Sequence, residues 1–471
     1  MDQHIHNKRY TVMGLGSFGG GIGAVRFLLD QGARVTLTDQ RPAEQLAESL
    51  AQIDVSRLEG LTLGKHDPAD FTSADAVVVN PAIKRDHPLL ELARREGVPL
   101  TSEMNLFWRH NPGRVLAVTG SNGKSTTTAM VHAIMSATGR RCWLGGNIGR
   151  SLLAVVDEIS PDDWVILELS SFQLHDLDRI GQSPDVAIVT NFSPNHLDWH
   201  GTLDNYRHDK QTLLRWQMRH QTAVLNFDDA DVRTWPTHGR RFGFGTSATT
   251  DEPGIFVDGD GVRYRDERRE FQFPLREWVS LPGLHNLQNA MAAVCAALSV
   301  GVPLDAVERG LRSYQPLPHR LQFVAEAAGR RFYNDSLATT PESAMVALES
   351  FNQPIVLLAG GYDKQVDLGE FARAIGRRTK AVALMGQTAT ALGSALPNSS
   401  PARRIGADFR DAFDWAVSQS AAGDVILLSP GCASYDWFRN FADRGEQFAA
   451  LVEEYKVAKE SLMASHGPEE T

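Results

Sequence analysis

The run Val115-Leu116-Ala117-Val118-Thr119-Gly120-Ser121-Asn122-Gly123-Lys124-Ser125-Thr126-Thr127-Thr128 leaves few folds open to this chain. A short apolar run followed by glycines and then by Ser and Thr predicts a buried parallel strand, a loop and a helix start. In such a loop, backbone N–H groups and the helix N-terminus cradle phosphate. The lysine reaches the outer phosphates, and the hydroxyl after it can hold Mg²⁺. Val118 stands where the general phosphate-loop pattern has its first glycine. The bland alternative is a strand-to-helix turn with a surface lysine, and Gly-Lys-Ser directly after a buried strand is a poor way to build one.

At 471 residues the chain exceeds one typical core, so several domains are expected. Its 42% hydrophobic and 22% charged residues are those of an ordinary soluble globular protein. The 57 acidic against 47 basic residues give a net charge of −10, which argues against a general nucleic-acid binder. Cys142, Cys295 and Cys432 are far apart, which suggests neither a disulfide frame nor a zinc cluster. No run of 18 apolar residues occurs and residues 1–9 are polar, so neither a membrane span nor a signal peptide is expected. A reducing cytoplasm fits this composition.

The first segment carries its own nucleotide signature. A strand over 10–13 leads into Gly14-Leu15-Gly16-Ser17-Phe18-Gly19, then a helix over 23–31 and a second strand over 34–39 that ends on Asp39. By itself this is a Rossmann βαβ fingerprint, with Asp39 placed to bond ribose hydroxyls. A strand over 76–79, a helix over 88–96 and a strand over 99–101 follow, and Asn-Pro-Gly at 111–113 makes a turn. The second segment holds the phosphate loop, a helix over 125–137, a glycine loop over 145–149, and strands over 164–168 and 186–191. A doubly wound sheet would bring those strand ends into one crevice. Residues 221–275 read as β-like, a helix over 286–298 packs back, and residues 316–320 read as a linker. Strands over 332–335, 354–359, 381–385 and 425–428 alternate with helical stretches in the third segment, and a polar tail is expected from about Leu462. The expectation is three α/β domains: 1–110, Rossmann-like; 111–318, a doubly wound sheet of the phosphate-loop ATPase kind; and 319–471, again Rossmann-like.

At this point the residues resemble a family, the Mur ligases of peptidoglycan synthesis. The matching motifs are Gly120 to Thr126, Gly146-Asn147-Ile148-Gly149, Glu168-Leu169-Ser170-Ser171-Phe172-Gln173-Leu174, and Asn191 to Asp198. They continue with Leu284-His285-Asn286 to Asn289, His319-Arg320, Asn334-Asp335-Ser336, Gly360-Gly361 to Lys364, and Ser429-Pro430 to Phe441. They run in family order over nearly the whole chain. The resemblance implies a domain for a UDP-sugar substrate, one for ATP, and a mobile C-terminal one for an amino acid. The implied reaction is ATP-driven amide formation through an acyl phosphate, with UDP-N-acetylmuramoyl-L-alanine and glutamate as substrates. Together with the charge and hydropathy above, a cytoplasmic enzyme is expected, a monomer with no nucleic-acid or membrane partner.

The resemblance also assigns roles. Gly14, Leu15, Gly16 and Asp39 would line the UDP site rather than an NAD site; both ligands present a diphosphate, so loop physics alone does not separate them. Gly120, Ser121, Asn122, Gly123, Lys124, Ser125 and Thr126 would take the ATP phosphates. Asn289 would face adenine, Arg320 phosphate and Asp335 ribose. Glu168, at a strand end, and Ser125 suit Mg²⁺ as hard oxygen ligands. His196 enters only through the resemblance, as ligand to a second magnesium, because imidazole suits softer metals. Asn147 would orient the γ-phosphate or the substrate carboxylate. Lys210 reads alone as a surface helical lysine; the resemblance implies a carbamate, which turns an ammonium into a ligand carboxylate. Thr339, Lys364, Ser434 and Phe441 would receive glutamate, the Lys364 cation pairing with a carboxylate. The family's usual Asn-Asp-Ser-Lys-Ala-Thr-Asn is here Asn334-Asp335-Ser336-Leu337-Ala338-Thr339-Thr340, so one cation is missing at Leu337. D-glutamate is expected, and L-glutamate is the alternative. An NAD-dependent oxidoreductase would leave the phosphate loop unused, and a regulatory NTPase would leave the first domain unused.

Overall fold

The apolar run before Gly120 becomes the strand Arg114–Thr119, buried at every residue after Arg114. A strand covered on both faces needs parallel neighbours with helices above and below. The computed structural model, which describes residues 4–16, 19–149, 151–246, 251–397 and 401–465, supplies them. Trp164–Glu168 pairs with it on one side and Val186–Val189 on the other, both parallel. Cys142–Gly146 lies beyond Trp164–Glu168. Past Val186–Val189 come Thr222–Asn226, Arg240–Gly245, Gly254–Asp258, Gly261–Arg265 and Glu270–Phe273, completing a nine-stranded sheet whose last two pairings are antiparallel. These are the β-like residues expected over 221–275. From Arg114–Thr119 the chain first winds to one side and then to the other, so a crevice opens at the carboxyl ends of the middle strands.

The N-terminal segment forms a five-stranded parallel sheet in the order Gly60–Leu63, Arg34–Asp39, Arg9–Met13, Ala76–Val79, Leu100–Thr101. One apolar cluster runs from it into the central sheet, with Val12, Leu28 and Phe107 continuous with Val165 and Leu213. Burial at this scale is the main stabilising term, at roughly 25 cal/mol per Å² of apolar surface. The third sheet has six strands in the order Gln322–Ala327, Arg330–Asn334, Val425–Leu428, Ile355–Gly360, Thr379–Met385, Ala402–Ile405. Only its first pair is antiparallel. Two compact units divide the chain: Met1–Trp278 with Gln288–Tyr314, and Val279–Leu287 with Gln315–Thr471. The first holds the five- and nine-stranded sheets, the second the six-stranded one.

Several boundaries differ from the sequence expectation. The strand expected over 186–191 stops at Val189, because Thr190 and Asn191 turn their hydrogen bonds to the phosphate loop. The helix expected from Gly23 begins at Gly20. The tail expected from Leu462 is helical through Ser465, within Phe441–Ser465; residues 466–471 lie outside the described residues. Among the described residues, no helix is long and apolar enough to cross a membrane.

The seam between the first two sheets carries a testable electrostatic feature. Ser151 Oγ–H donates to the Glu103 carboxylate, and Asn105 Nδ2 donates to Asp176 O at 2.8 Å. Burial pushes the Glu103 carboxyl up to about 7 from its ordinary 4.5, with Ser151 offsetting only part. A carboxyl whose folded value is raised binds its proton more tightly when folded. Its contribution is therefore full below about 4.5 and lost as pH rises through about 7. Glu103→Gln removes that loss. Its apparent melting temperature should exceed wild type by about 2–4 °C at pH 8 and converge with wild type near pH 5 in thermal scans. A difference independent of pH would refute the assignment.

Candidate active site

The phosphate loop is shaped by what stands behind it. Gly120 and Gly123 adopt φ of +150° and +80°; a Cβ on them would stand 1.9 Å from Thr190 Oγ1 and 2.3 Å from Asn289 Oδ1. No other residue fits that conformation and that contact together. Ser121 N–H donates to Asn191 O at 2.9 Å, and Asn122 N–H to Asn191 Oδ1 at 2.8 Å. Asn191 Nδ2 returns a bond to Asn122 O at 3.0 Å, and Ser121 Oγ bonds both backbone groups of Ser193 at 2.9 Å. The segment after Val186–Val189 therefore latches the loop. Lys124 Nζ folds onto Gly120 O and Ser121 O at 3.0 Å each, where phosphate oxygens can exchange for carbonyls. The helix Lys124–Ser136 starts at Gly123 with no side-chain cap, and Ser125 and Thr126 sit in its first turn. An uncapped helix start facing a crevice is suited to an anion. Asn289, buried, accepts from Thr127 Oγ–H at 3.2 Å and so lies against this loop.

Beside it, the strand Trp164–Glu168 ends on a carboxylate that is 1% exposed. Glu168 Oε1 accepts from Asn147 Nδ2 at 2.8 Å, whereas Oε2 is buried with no hydrogen-bond partner. Such an orphaned oxygen is costly unless something else completes it. Lys210, read from sequence as a surface lysine, is 1% exposed in the helix Leu203–Arg215. Its Nζ donates to Gly120 O at 2.7 Å and stands 4.9 Å from the centre of the Tyr206 ring. Burial, reinforced by the Lys124 ammonium, lowers its pKa well below the ordinary 10.5, against the pull of Glu168 and Asp209. His196 adopts φ +53°, with its ring 5.0 Å from that of Phe172. Desolvation and the neighbouring Lys124 and Lys210 hold it below its ordinary pKa. Lys124, Glu168, His196 and Lys210 thus share one electrostatic neighbourhood.

Among the described residues no three His, Cys, Asp or Glu side chains gather to hold a metal on their own. Mg²⁺ keeps several waters and is bound through one or two protein oxygens together with substrate phosphates. Glu168 Oε2 and the Ser125 hydroxyl are oxygen donors of that kind.

In the N-terminal sheet Asp39, placed by the motif alone to bond ribose hydroxyls and by the resemblance at the UDP site, has both oxygens hydrogen-bonded within its own turn. Oδ2 accepts Leu15 N–H at 3.0 Å and Arg41 Nη2 at 3.1 Å; Oδ1 accepts Arg41 N–H at 2.9 Å. Burial opposes its charged form, yet the bonds from Arg41 and Leu15 hold the carboxyl below its ordinary value. A carboxylate 5% exposed needs such partners. Asp39 therefore braces the glycine turn, together with Asn80 Nδ2 to Gly14 O at 3.4 Å and Ser49 Oγ to Gly16 O at 3.2 Å. Ser17 and Phe18, within the same motif, lie outside the described residues.

The third sheet gathers the remaining candidates at the ends of neighbouring strands. Arg320 stands between His319 at φ +62° and Leu321 at φ +42°, so backbone strain concentrates at the linker expected there. Leu321 N–H and Ser429 Oγ–H donate to the two oxygens of Asp335, at 3.1 and 2.7 Å. Burial nevertheless pushes the Asp335 carboxyl up to about 6. Lys364 is exposed just after Ile355–Gly360, and its segment is tied to that of Ser434 by Tyr362 N–H to Ala433 O at 2.8 Å. Ser434 is buried, Thr339 half-buried, and Phe441 O accepts from Ser336 Oγ–H at 2.7 Å.

Sequence reasoning missed the residue that holds these loops together. Arg444, 0% exposed, donates to Ser336 Oγ and Ser336 O at 2.9 Å each and to Cys432 O at 3.1 Å. It lies in a helix whose sequence reads as polar, and no motif marks it. No motif marks His200, Asp209 or Arg85 either, and they come from separate segments of the chain.

Comparison with known proteins agrees with this fold over most of the chain. Residues 8–102 match the Mur ligase MurD-like N-terminal domain, 118–297 the Mur ligase middle domain, and 319–432 the Mur ligase glutamate ligase domain. A UDP-N-acetylmuramoylalanine--D-glutamate ligase from Roseiflexus sp. (strain RS-1) is 40% identical over 95% of this chain and 99% of its own length. One of the same name from Symbiobacterium thermophilum is 38% identical over 95% of this chain and 98% of its own length. Among solved structures, UDP-N-acetylmuramate-alanine ligase MurC from Thermotoga maritima has a TM-score of 0.59 at 19% identity, covering 96% of this chain and 100% of that one. A pseudomurein peptide ligase type C from Methanothermus fervidus has a TM-score of 0.58 at 17% identity, with the same coverage. These structural likenesses speak for the fold, and the closer sequence relatives for descent. With three α/β domains, a latched phosphate loop and relatives aligned over nearly its full length, the chain belongs to the Mur ligase family.

Proposed function

We propose that this chain is an ATP-dependent amide ligase of peptidoglycan synthesis. It adds D-glutamate to UDP-N-acetylmuramoyl-L-alanine and releases ADP and phosphate, acting as a cytoplasmic monomer. The observation that carries this is the buried, unpartnered Glu168 Oε2 in one electrostatic neighbourhood with Lys124 and the buried Lys210. The curated relatives' name supports the substrates. We divide the work among residues 1–110 for the UDP substrate, 111–318 for ATP and 319–471 for glutamate.

A carboxylate is a poor electrophile at neutral pH. One of its oxygens first attacks the γ-phosphorus of ATP, the bond to the β-phosphate oxygen breaks, and ADP leaves. The amine of glutamate then attacks the acyl carbon and expels phosphate from a tetrahedral intermediate. Phosphoryl transfer asks the protein for alignment and charge neutralisation more than for covalent chemistry. Gly120, Ser121, Asn122, Gly123, Ser125 and Thr126 seat the phosphates, and Lys124 neutralises the outermost. Asn289 and Asp335 take adenine and ribose, and Arg320 takes phosphate. Ser125 and Glu168 would hold Mg²⁺, with His196 and a carbamylated Lys210 as ligands to a second magnesium, and the cations would supply further neutralisation of the transferring phosphoryl group. Asn147 is anchored on Glu168 and orients the group that reacts. Gly14, Leu15 and Gly16, braced by Asp39, seat the UDP diphosphate, whereas Thr339, Lys364, Ser434 and Phe441 receive glutamate. The oxidoreductase alternative has no observation in its favour beyond the glycine turn.

The test is phosphate release from ATP and Mg²⁺ with UDP-N-acetylmuramoyl-L-alanine and each glutamate enantiomer. D-glutamate should be preferred in kcat/KM. Leu337, half-buried, lacks the cation of the family's usual run, and an exposed pairing is worth up to ~1 kcal/mol. Loss of that size raises KM without inverting the pocket, since inversion needs a new partner at a new place. Leu337→Lys should therefore lower the KM for D-glutamate about threefold to fivefold. Preference for L-glutamate would overturn the stereochemical part and leave the ligase standing; no phosphate release with either would overturn both.

A further inference from the structure

The helix that carries Lys210 also carries a buried acid that no step above uses. Asp209 has a side chain 3% exposed. His200 Nδ1 bonds its Oδ2 at 2.7 Å, His175 Nδ1 bonds its Oδ1 at 3.2 Å, and the Arg85 guanidinium pairs with Oδ2. The His200 side chain is itself fully buried, and its Nε2 lies 2.9 Å from Ser171 Oγ. With Nδ1–H given to Asp209, a neutral His200 accepts from the Ser171 hydroxyl. Ser171, His200 and Asp209 thus form the hydrogen-bond order of a hydrolase triad. Ser171 is only 2% exposed, so no acyl group can reach it and the relay is not nucleophilic.

What the relay joins is informative. Ser171 opens the helix three residues after Glu168. His200 closes the single helical turn Leu197–His200, four residues after His196. Asp209 immediately precedes Lys210. One chain of hydrogen bonds therefore fastens the three segments that bear Glu168, His196 and Lys210. Arg85 arrives from the N-terminal sheet and lies 4.4 Å over the Trp199 ring. It follows, five residues on, Asn80, whose amide donates to Gly14 O in the glycine turn. Buried carboxylates need this many donors to stay charged, and the electrostatics agree, holding Asp209 far below the ordinary carboxylate range.

We infer that Asp209, acting through His200, is a positioning residue for the divalent cation. It fixes the relative placement of Glu168, His196 and Lys210 and ties that placement to the UDP-substrate domain through Arg85. The inference rests on the preceding assignment of those three residues to the cation. Partners that orient metal ligands commonly account for about 10–100-fold in metal affinity or activity.

The experiment reads Mn²⁺ by electron paramagnetic resonance, with a non-hydrolysable ATP analogue and no UDP substrate, glutamate or turnover. Asp209→Asn keeps the shape and removes the charge; Mn²⁺ affinity should fall about 10–100-fold, while analogue binding without metal stays within twofold. His200→Asn should act in the same direction, and the double variant should be no worse than the weaker single one, because the two residues act as a unit. If Asp209→Asn does not fold by circular dichroism, Arg85→Gln carries the test from the half-exposed end of the relay, with a loss of severalfold expected. Mn²⁺ affinity within twofold of wild type in the folded variants overturns the inference. A wild type that binds Mn²⁺ and the analogue but makes no product defeats the ligase reading instead, and leaves the Mn²⁺ comparison to decide this one.

Discussion

Lys124→Ala should lower product formation about 10²–10³-fold while UDP-N-acetylmuramoyl-L-alanine still binds within about twofold of wild type. The lysine sits in the first turn of Lys124–Ser136, and its ammonium already bonds the carbonyls of Gly120 and Ser121. Moved onto the outer phosphates, it meets charge that grows as the phosphoryl group transfers. Removing one preorganised contact of this kind costs about 3–4 kcal/mol, or ~10²–10³-fold in rate. The UDP site that we propose lies elsewhere, on a turn that Asp39, Asn80 and Ser49 hold on the five-stranded sheet. Phosphate release measures the first effect and calorimetry with the UDP substrate the second. Equal loss of both would mean that the two phosphate-binding turns form one site, and the division of labour would fall.

How much of this could be read in advance follows from where the information lies. The strand, loop and helix around Gly120 were legible because an apolar run, two glycines and Lys-Ser-Thr each constrain the backbone locally. The alternation of strands and helices was legible for the same reason, since buried parallel strands read as continuous Val, Ile and Leu. The antiparallel strand Gln322–Ala327 was not, because its burial alternates weakly and its neighbour is supplied by the fold. Ala402–Ile405 is exposed along its whole length and leaves no apolar trace. The partners of Asp39 were hidden for a related reason. The spacing of the motif places the carboxylate correctly, but only the folded chain reveals that Arg41 and Leu15 occupy both oxygens. The polar relay of Ser171, His200, Asp209 and Arg85 draws on four separate segments, so no window of sequence contains it.

Lys210 is the sharpest case, and its replacement gives the second large effect. Read by itself, Tyr206-Arg207-His208-Asp209-Lys210 is the polar face of a surface helix. The structure buries Lys210 and gives it, among the described residues, a single hydrogen bond, to Gly120 O. An ammonium with three donors and one acceptor, beside the Lys124 cation, is in a poor place to stay charged. Its lowered pKa is the expected consequence. A neutral amine is what attack on CO₂ requires: the nitrogen bonds the carbon, a proton leaves, and a carbamate with two oxygens replaces the cation. Those oxygens can ligate Mg²⁺ where an ammonium cannot. Lys210→Ala should then lower kcat by about 10²–10³-fold, as for the loss of one preorganised charge contact, with UDP-substrate binding retained. Acetate or formate, small enough to enter the space left by the side chain, should restore part of the rate, because each returns a carboxylate to the same position. Lys210→Arg supplies the control, since guanidinium stays protonated and forms no carbamate; it should be as inactive as the alanine variant. Isotope-labelled CO₂ followed by carbon NMR should place a carbamate signal on wild type and on neither variant. Normal turnover by Lys210→Ala would reduce the residue to a buried structural lysine. Loss of activity without carboxylate rescue or a carbamate signal would leave it a charge partner of Glu168 and nothing more.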